Sequence, residues 1–387
     1  MQAILSNPNH PEYGVATIPF PIPDAEYDHV IELLKPLEIG DFAARDCRVE
    51  EITGAPPILS KLKQTMVNLD ELDYLTKRLD GFDYYELEQF QALAYTREHS
   101  DIQEMINLTF NSQQVTVVSD FTKLEATGKG HYLTVHGGGA PMDEFEKVDG
   151  MKEALNLLTE QKGQITPYGV LYDNNMTFEQ LYDGGNFPLY GYKPPLMEVS
   201  LAQDHLPKLE LLLPMPDKQL ERTLLRAGMD ETHCQISEYA SQLPDEADAA
   251  IDFRSDSIQE INQLCNTLSN FKQQDFTKLA AAVQFAKPEY SSELRQLAEN
   301  LDLFTFFPNI QSDEELGIYM IQESGHFEYD PNLEDYYNYE GYGHDWLAER
   351  YFTRSTHGIV TYDGVLSLDE LMRDDPAEQP LQMGGME

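Results

Sequence analysis

Positive charge is what this chain has least of. Only 26 Lys and Arg stand against 68 Asp and Glu, for a formal net charge of -42 over 387 residues. A surface so unbalanced repels phosphates, which excludes unaided binding to nucleic acid or to an anionic membrane. It also strains the compact state through self-repulsion, so a partner that uses the charge is expected. Cysteine is nearly as scarce: Cys47, Cys234 and Cys265 are far apart and odd in number. They form neither a disulfide framework nor a C-x-x-C metal site, and reduced, buried thiols are expected. No run approaches 18 consecutive apolar residues, and the opening Met1-Gln2-Ala3-Ile4-Leu5-Ser6 has no basic segment leading into an apolar one. A soluble, cytoplasmic protein is the expectation.

Catalytic signatures are missing as well. His136-Gly137-Gly138-Gly139 has the form of a lipase oxyanion loop, but no G-x-S-x-G elbow accompanies it. Gly128-Lys129-Gly130 lacks the spacing of a phosphate loop. Asp330-Pro331-Asn332-Leu333-Glu334-Asp335 alternates ligand-type side chains as a calcium loop does, without the glycine at the sixth position. The histidines form no H-x-x-x-H pair. With 68 carboxylates present, an acid-base pair picked from among them means nothing. The reading is a non-enzyme with no cofactor and no metal.

What the chain does have is a folding composition, 41% hydrophobic with 22 Tyr and 18 Phe, where an acidic disordered chain has few aromatics. Thirteen acids occur between Gln296 and Glu349 without one Lys or Arg, interleaved with Tyr, Phe and the single Trp346. Met229 to Phe253 is a second such stretch, with seven acids. Two readings of the charge stand side by side: solubility or adaptation to salt, and a displayed field. The scale of a field is suggestive. Duplex DNA carries one charge per roughly 1.7 Å, so about 40 charges correspond to about 20 base pairs or around 70 Å. Carboxylates at i and i+4 on a helix lie about 6 Å apart, close to the spacing of phosphates along a strand.

The chain also repeats itself. Ile18-Pro19-Phe20-Pro21-Ile22-Pro23-Asp24 precedes a helical pattern with Tyr27, Val30, Ile31 and Leu34, and Leu211-Leu212-Leu213-Pro214-Met215-Pro216-Asp217 precedes one with Leu220, Leu224 and Leu225. Asn68 to Glu71 and Ser257 to Glu260 both have capping-box spacing and open helices of similar length. Val115-Thr116-Val117-Val118 then pairs in order with Phe304-Thr305-Phe306-Phe307, Gly130 to Leu133 with Gly317 to Met320, and Gly169 to Asp173 with Gly358 to Asp363. Matches that keep order this long point to a tandem duplication of an α+β unit with a helical middle. The modules are expected at 1–192 and 193–366, with a joint near Tyr182 to Pro195 and a flexible tail over 367–387.

Glu323-Ser324-Gly325, the stretch from Leu333 to Gly343, Asp345, Phe352-Thr353 and His357-Gly358-Ile359 together resemble the ArdA antirestriction family, acidic proteins of conjugative elements that imitate DNA. Leu213-Pro214-Met215-Pro216 fits the family's opening, and the resemblance covers about residues 197 to 366. The first module resembles the family through the second, and has His136 to Gly139 and Asp143-Glu144-Phe145-Glu146 where the acidic tyrosine stretch belongs. The resemblance implies an elongated α+β chain of small subdomains that occupies the DNA cleft of type I restriction-modification or a related bacterial defence enzyme. It implies a homodimer, or here a single-chain pseudo-dimer. Glu323, Glu328, Asp330, Glu334, Asp335, Glu340 and Asp345 are the expected phosphate-mimicking carboxylates, with Tyr336, Tyr339 and Trp346 packed beneath them. The alternative is an acidic adaptor or scaffold for a basic host protein unrelated to DNA.

Overall fold

The computed structural model describes residues 1–97, 101–326 and 328–373. The chain forms two compact units: Met1–Lys193 with Lys218–Met229, and Pro194–Asp217 with Asp230 onward. Each is α+β and built of small subdomains, with antiparallel sheets of three or four strands separated by helices.

In the first unit, β1 (Gln2–Ser6) lies between β2 (Val15–Pro19) and β3 (Cys47–Thr53), with β4 (Met66–Val67) at the edge beyond β3. Helix α1 (Asp24–Leu34) turns Tyr27, Val30 and Leu34 into the core, as its spacing predicts. The helical middle is α2 (Leu69–Asp80), α3 (Tyr84–Thr96) and α4 (Ile102–Leu108). A second sheet has the order β5 (Val115–Val118), β7 (Gly169–Asp173), β6 (Gln164–Thr166), and α5 (Leu124–Val135), α6 (Met142–Phe145) and α7 (Gly150–Glu160) fall between β5 and β6.

The second unit repeats this order. Strand β8 (Met197–Ala202) lies between β9 (Leu209–Leu213) and β10 (Gln235–Ser241); α8 (Asp217–Arg226), which follows β9 in the chain, belongs from Lys218 onward to the first unit. After the short α9 (Asp245–Asp248) come α10 (Ile258–Leu268), α11 (Gln273–Ala286) and α12 (Ser291–Glu299). The last sheet has the order β11 (Phe304–Pro308), β13 (Gly358–Tyr362), β12 (Tyr351–Ser355), with α13 (Asp313–Ile318) and α14 (Tyr339–Ala348) between β11 and β12. Helix α15 (Leu368–Leu371) buries Leu368 and Leu371. The rest of the expected tail, from residue 374, lies outside the described residues. Gly130 to Leu133 and Gly317 to Met320, matched by sequence, both lie in helical turns.

One predicted cap is complete and the other is half made. Ser257 and Glu260 bond reciprocally at the start of α10. At α2 the Asn68 side chain accepts from the amides of Asp70 and Glu71, but the Glu71 carboxylate turns inward instead of back to the cap. It accepts from Arg45 Nε at 3.1 Å and from the Tyr182 hydroxyl at 3.0 Å. Two more α2 carboxylates are treated alike. Asp73, 2% exposed, is met by Lys77 Nζ at 2.8 Å and the Ile22 amide at 2.7 Å. Asp70 takes Arg222 Nη2 at 2.8 Å and the Tyr27 hydroxyl, with Arg226 at 3.7 Å. Burial and the Asp70 charge push the Tyr27 phenol well up, so it stays a donor.

The expected joint is a strap. Tyr182 is fully buried, and Asn107 pairs with that backbone on both its edges: Nδ2 donates to the Tyr182 carbonyl at 2.7 Å, and Oδ1 accepts from the Leu181 and Tyr182 amides at 2.8 Å each. Phe187 then stacks on Tyr182 at 5.1 Å and on Tyr74 at 4.7 Å. Turn residues mark this segment in the sequence, but two buried asparagine amides, Asn107 and Asn111, satisfy its backbone as a strand would.

Two predictions follow from this core. Asp70→Asn leaves Arg222 and Arg226 buried without their counter-charge and costs about 3–5 kcal/mol in urea unfolding. Burial pushes all three thiols up, that of Cys265 to about 12, but it encloses only Cys47 and Cys265; Cys234 is half-buried, so in the native protein a thiol reagent at pH 8 labels Cys234 alone.

Candidate functional site

The acidic stretch of the second unit is held by close backbone approach. A Cβ at Gly317 would lie 1.9 Å from the Tyr339 carbonyl oxygen, and one at Gly343 would lie 1.9 Å from that of Asp313. These two glycines let α13 and α14 cross in backbone contact, which explains the glycine spacing in Gly341-Tyr342-Gly343 better than chain flexibility does. In the first unit Gly128 and Gly150 serve α5 and α7 the same way, with 1.9 Å and 2.2 Å to the facing carbonyl oxygens. Gly128 is thus a packing glycine. His136 to Gly139 ends α5, with Gly137 and Gly138 at φ +83 and +86.

Under the helix pair lies a small core of Phe307, Leu316, Met320, Leu347 and Ile359. Trp346 meets Phe307 edge-on at 5.3 Å, and the Arg350 guanidinium covers its other side at 3.7 Å. From α13 the chain passes through a turn of π-helix (Tyr319–Glu323) and a 3-10 segment (Pro331–Tyr336) before α14. Asp330 starts the 3-10 segment by accepting from the Asn332 amide at 2.9 Å, and Asn338 starts α14 by accepting from Gly341 at 3.0 Å. Asp330 is thus a helix cap, and no metal-ligating cluster occurs among the described residues. Tyr329, Tyr337 and Tyr339 form a row with rings 5.7 Å apart, anchored by Gln322 donating to the Tyr339 hydroxyl at 2.7 Å. Burial, that row and the charge of Glu334 push the Tyr329 phenol up to about 12.

On this support all seven predicted carboxylates, Glu323, Glu328, Asp330, Glu334, Asp335, Glu340 and Asp345, are exposed. None pairs with a Lys, Arg or His among the described residues. The acids before them are used differently. Asp313 holds Arg354 and lies 3.3 Å from His344, and Glu315 is fixed below the usual range by the Gln311 and Ser312 amides it caps. Tyr339 and Trp346 are half-buried, as expected. Tyr336 is not: it is 84% exposed, because the 3-10 turn puts it on the solvent edge with Leu333, three residues earlier.

The stretch from Met229 to Phe253 does not display its charge in this way. Asp230 closes a turn on Thr232, Glu238 pairs with Lys208, Glu246 accepts from Gln284 and binds His357 at 2.8 Å, and Asp252 closes a turn on Arg254 and Ser255. Glu238 and Glu246 thus take partners from elsewhere in the chain, while Asp230 and Asp252 close turns with residues beside them. The inward carboxylates of α2 were also unreadable, although their spacing on the apolar face beside Leu69, Leu72 and Leu75 was available as a signal.

Taken together, these features define an α+β protein whose second unit presents exposed carboxylates that have no cationic partner among the described residues. Residues 211–361, from β9 into β13, match the family model described as Antirestriction protein (ArdA). The matched segment is similar to that family and contains all seven carboxylates. No curated protein matches the chain. No helix among the described residues is long and apolar enough to cross a membrane.

Trp346, the single tryptophan, reports on this site directly. Gly343→Ala forces α13 and α14 apart at a cost of about 1–3 kcal/mol, so Trp346 emission moves to the red and its quenching by acrylamide increases. Unchanged emission would mean that the helix crossing does not hold the acidic surface.

Proposed function

We propose that the chain is an antirestriction protein that acts as a DNA mimic, with the carboxylates of its second unit occupying the DNA-binding cleft of a type I restriction-modification enzyme or a related bacterial defence enzyme. The observation that carries this reading is the set of seven exposed carboxylates without a cationic partner among the described residues, inside the segment matched to the antirestriction family. Exposed and without a cationic partner among the described residues, each is free to meet a Lys or Arg that normally holds a phosphate. Preorganisation strengthens the effect, since caps and the tyrosine row fix the backbone before the partner arrives. The protein is a stoichiometric inhibitor, consumed by binding rather than turning over.

The two units are proposed to descend from one by tandem duplication. Their sheets share the orders β2-β1-β3 with β9-β8-β10 and β5-β7-β6 with β11-β13-β12, and their helix pairs cross at glycines in both. A single chain then carries two copies of the unit, and the second bears the mimic surface.

The test is inhibition by variants in which Glu328, Glu334, Asp335 and Glu340 are changed to Lys singly and in combination. Each exposed charge is worth little alone, about fivefold or less, so the loss is graded and reaches on the order of a hundredfold for all four. Affinity also falls steeply as salt rises from low to physiological concentration. An undiminished inhibitor with four reversals, or binding indifferent to salt, would contradict the mimic.

A further inference from the structure

The first unit has a cleft of about 590 Å³ that the acidic surface does not use. Helix α3 lines it with Tyr84, Glu88 and Gln91, which recur on one face of the helix, and Ser119 and the Pro167-Tyr168 turn between β6 and β7 stand opposite. Two of its groups have unmet chemistry. Gln91 is only 7% exposed, yet its Oε1 is buried without a hydrogen-bond partner and neither amide atom bonds a described residue. A buried amide left this way weakens a fold unless something from outside completes it. Turning the amide over breaks no bond within the protein, so either end can be offered to the cleft. Glu88 is the second group. It accepts from Ser119 Oγ at 2.7 Å and from the Tyr84 hydroxyl, and it has no cation among the described residues.

In the second unit the turn between the last two strands bonds to its neighbouring helix from within the chain. At the turn between β12 and β13, Gln284 Nε2 donates to Thr356 Oγ1 at 2.7 Å, the Thr356 amide donates back to Gln284 Oε1 at 3.0 Å, and His357 binds Glu246 at 2.8 Å. The α11 positions corresponding to Tyr84, Glu88 and Gln91 are Gln273, Thr277 and Ala280, so the carboxylate and the buried amide are both replaced. The acceptors are specific to the first unit.

We propose that this cleft binds the guanidinium of an arginine side chain presented by a partner protein. A fixed carboxylate and an amide oxygen one helical turn apart suit a planar group with several N–H donors, and the faces of Tyr84 and Tyr168 suit stacking on it. An anion is rejected by Glu88. An apolar group leaves Gln91 as it was. Lysine supplies the charge but neither the plane nor the spread of donors. The inference is independent of the mimic surface, which belongs to the other unit.

The test titrates the full chain with the acetylated, amidated tripeptide Gly-Arg-Gly and with its lysine and citrulline counterparts, by calorimetry at about 0.5 M salt to suppress non-specific attraction. The arginine peptide binds saturably, the lysine peptide about tenfold more weakly, and the citrulline peptide not measurably. Glu88→Gln, on the helix surface, removes arginine binding, while Gln91→Leu weakens it about tenfold and raises the melting temperature. Equal binding of arginine and citrulline peptides, or arginine binding unchanged in Glu88→Gln, would overturn the proposal, and so would a wild-type chain that no arginine peptide saturates. If Gln91→Leu does not fold, Glu88→Gln decides alone.

Discussion

A chain with 68 carboxylates and 26 cations is constrained by where the cations go. In the first unit four of them meet the carboxylates of one helix. Helix α2 turns Asp70, Glu71 and Asp73 toward the core, and Arg222, Arg226, Arg45 and Lys77 meet them there. A buried carboxylate without a partner is far costlier than an exposed one, so this placement is where each cation stabilises most. The corresponding α10 positions in the second unit are Gln259, Glu260 and Asn262, two of them neutral, and no arginine is needed there. Asn262 Oδ1 accepts from the Met215 amide at 2.9 Å just as Asp73 Oδ1 accepts from Ile22. The acidic stretch itself contains no Lys or Arg, and its seven exposed carboxylates have no cationic partner among the described residues.

A field alone does not make a recognition surface; it must also keep its shape. Here the restraint comes from contacts that use no cation at the carboxylates themselves. Glycines bring α13 and α14 into backbone contact, tyrosines stack in a row, and side chains of Asp330 and Asn338 cap the helices between them. The aromatic residues interleaved with the acids are therefore mostly scaffold. Tyr336 and Leu333 depart from that pattern and stand in solvent among the charges.

Much of this was legible in advance. Repeated prolines, capping spacings and apolar periodicity located the strands and helices of both units, because those signals are local. The seven carboxylates were named from the acidic stretch and the family resemblance, and the structure exposes all of them. What escaped was set by distant partners. Nothing near Glu71 in sequence announces Arg45 or Tyr182, nothing near Glu246 announces His357, and the turn-rich segment at Tyr182 was secured by asparagines about 75 residues earlier. Tyr336 was misplaced for a different reason: the 3-10 turn puts it on the solvent edge instead of beneath the carboxylates.

The central claim is that the carboxylates of the second unit stand in for a phosphate backbone. It is tested most directly by titrating a complex of the chain and a type I restriction-modification enzyme with duplex DNA while following Trp346 emission. Mutually exclusive binding, with DNA displacing the chain completely and more chain restoring the complex, is the result expected. A ternary complex in which enzyme, DNA and chain coexist would contradict it.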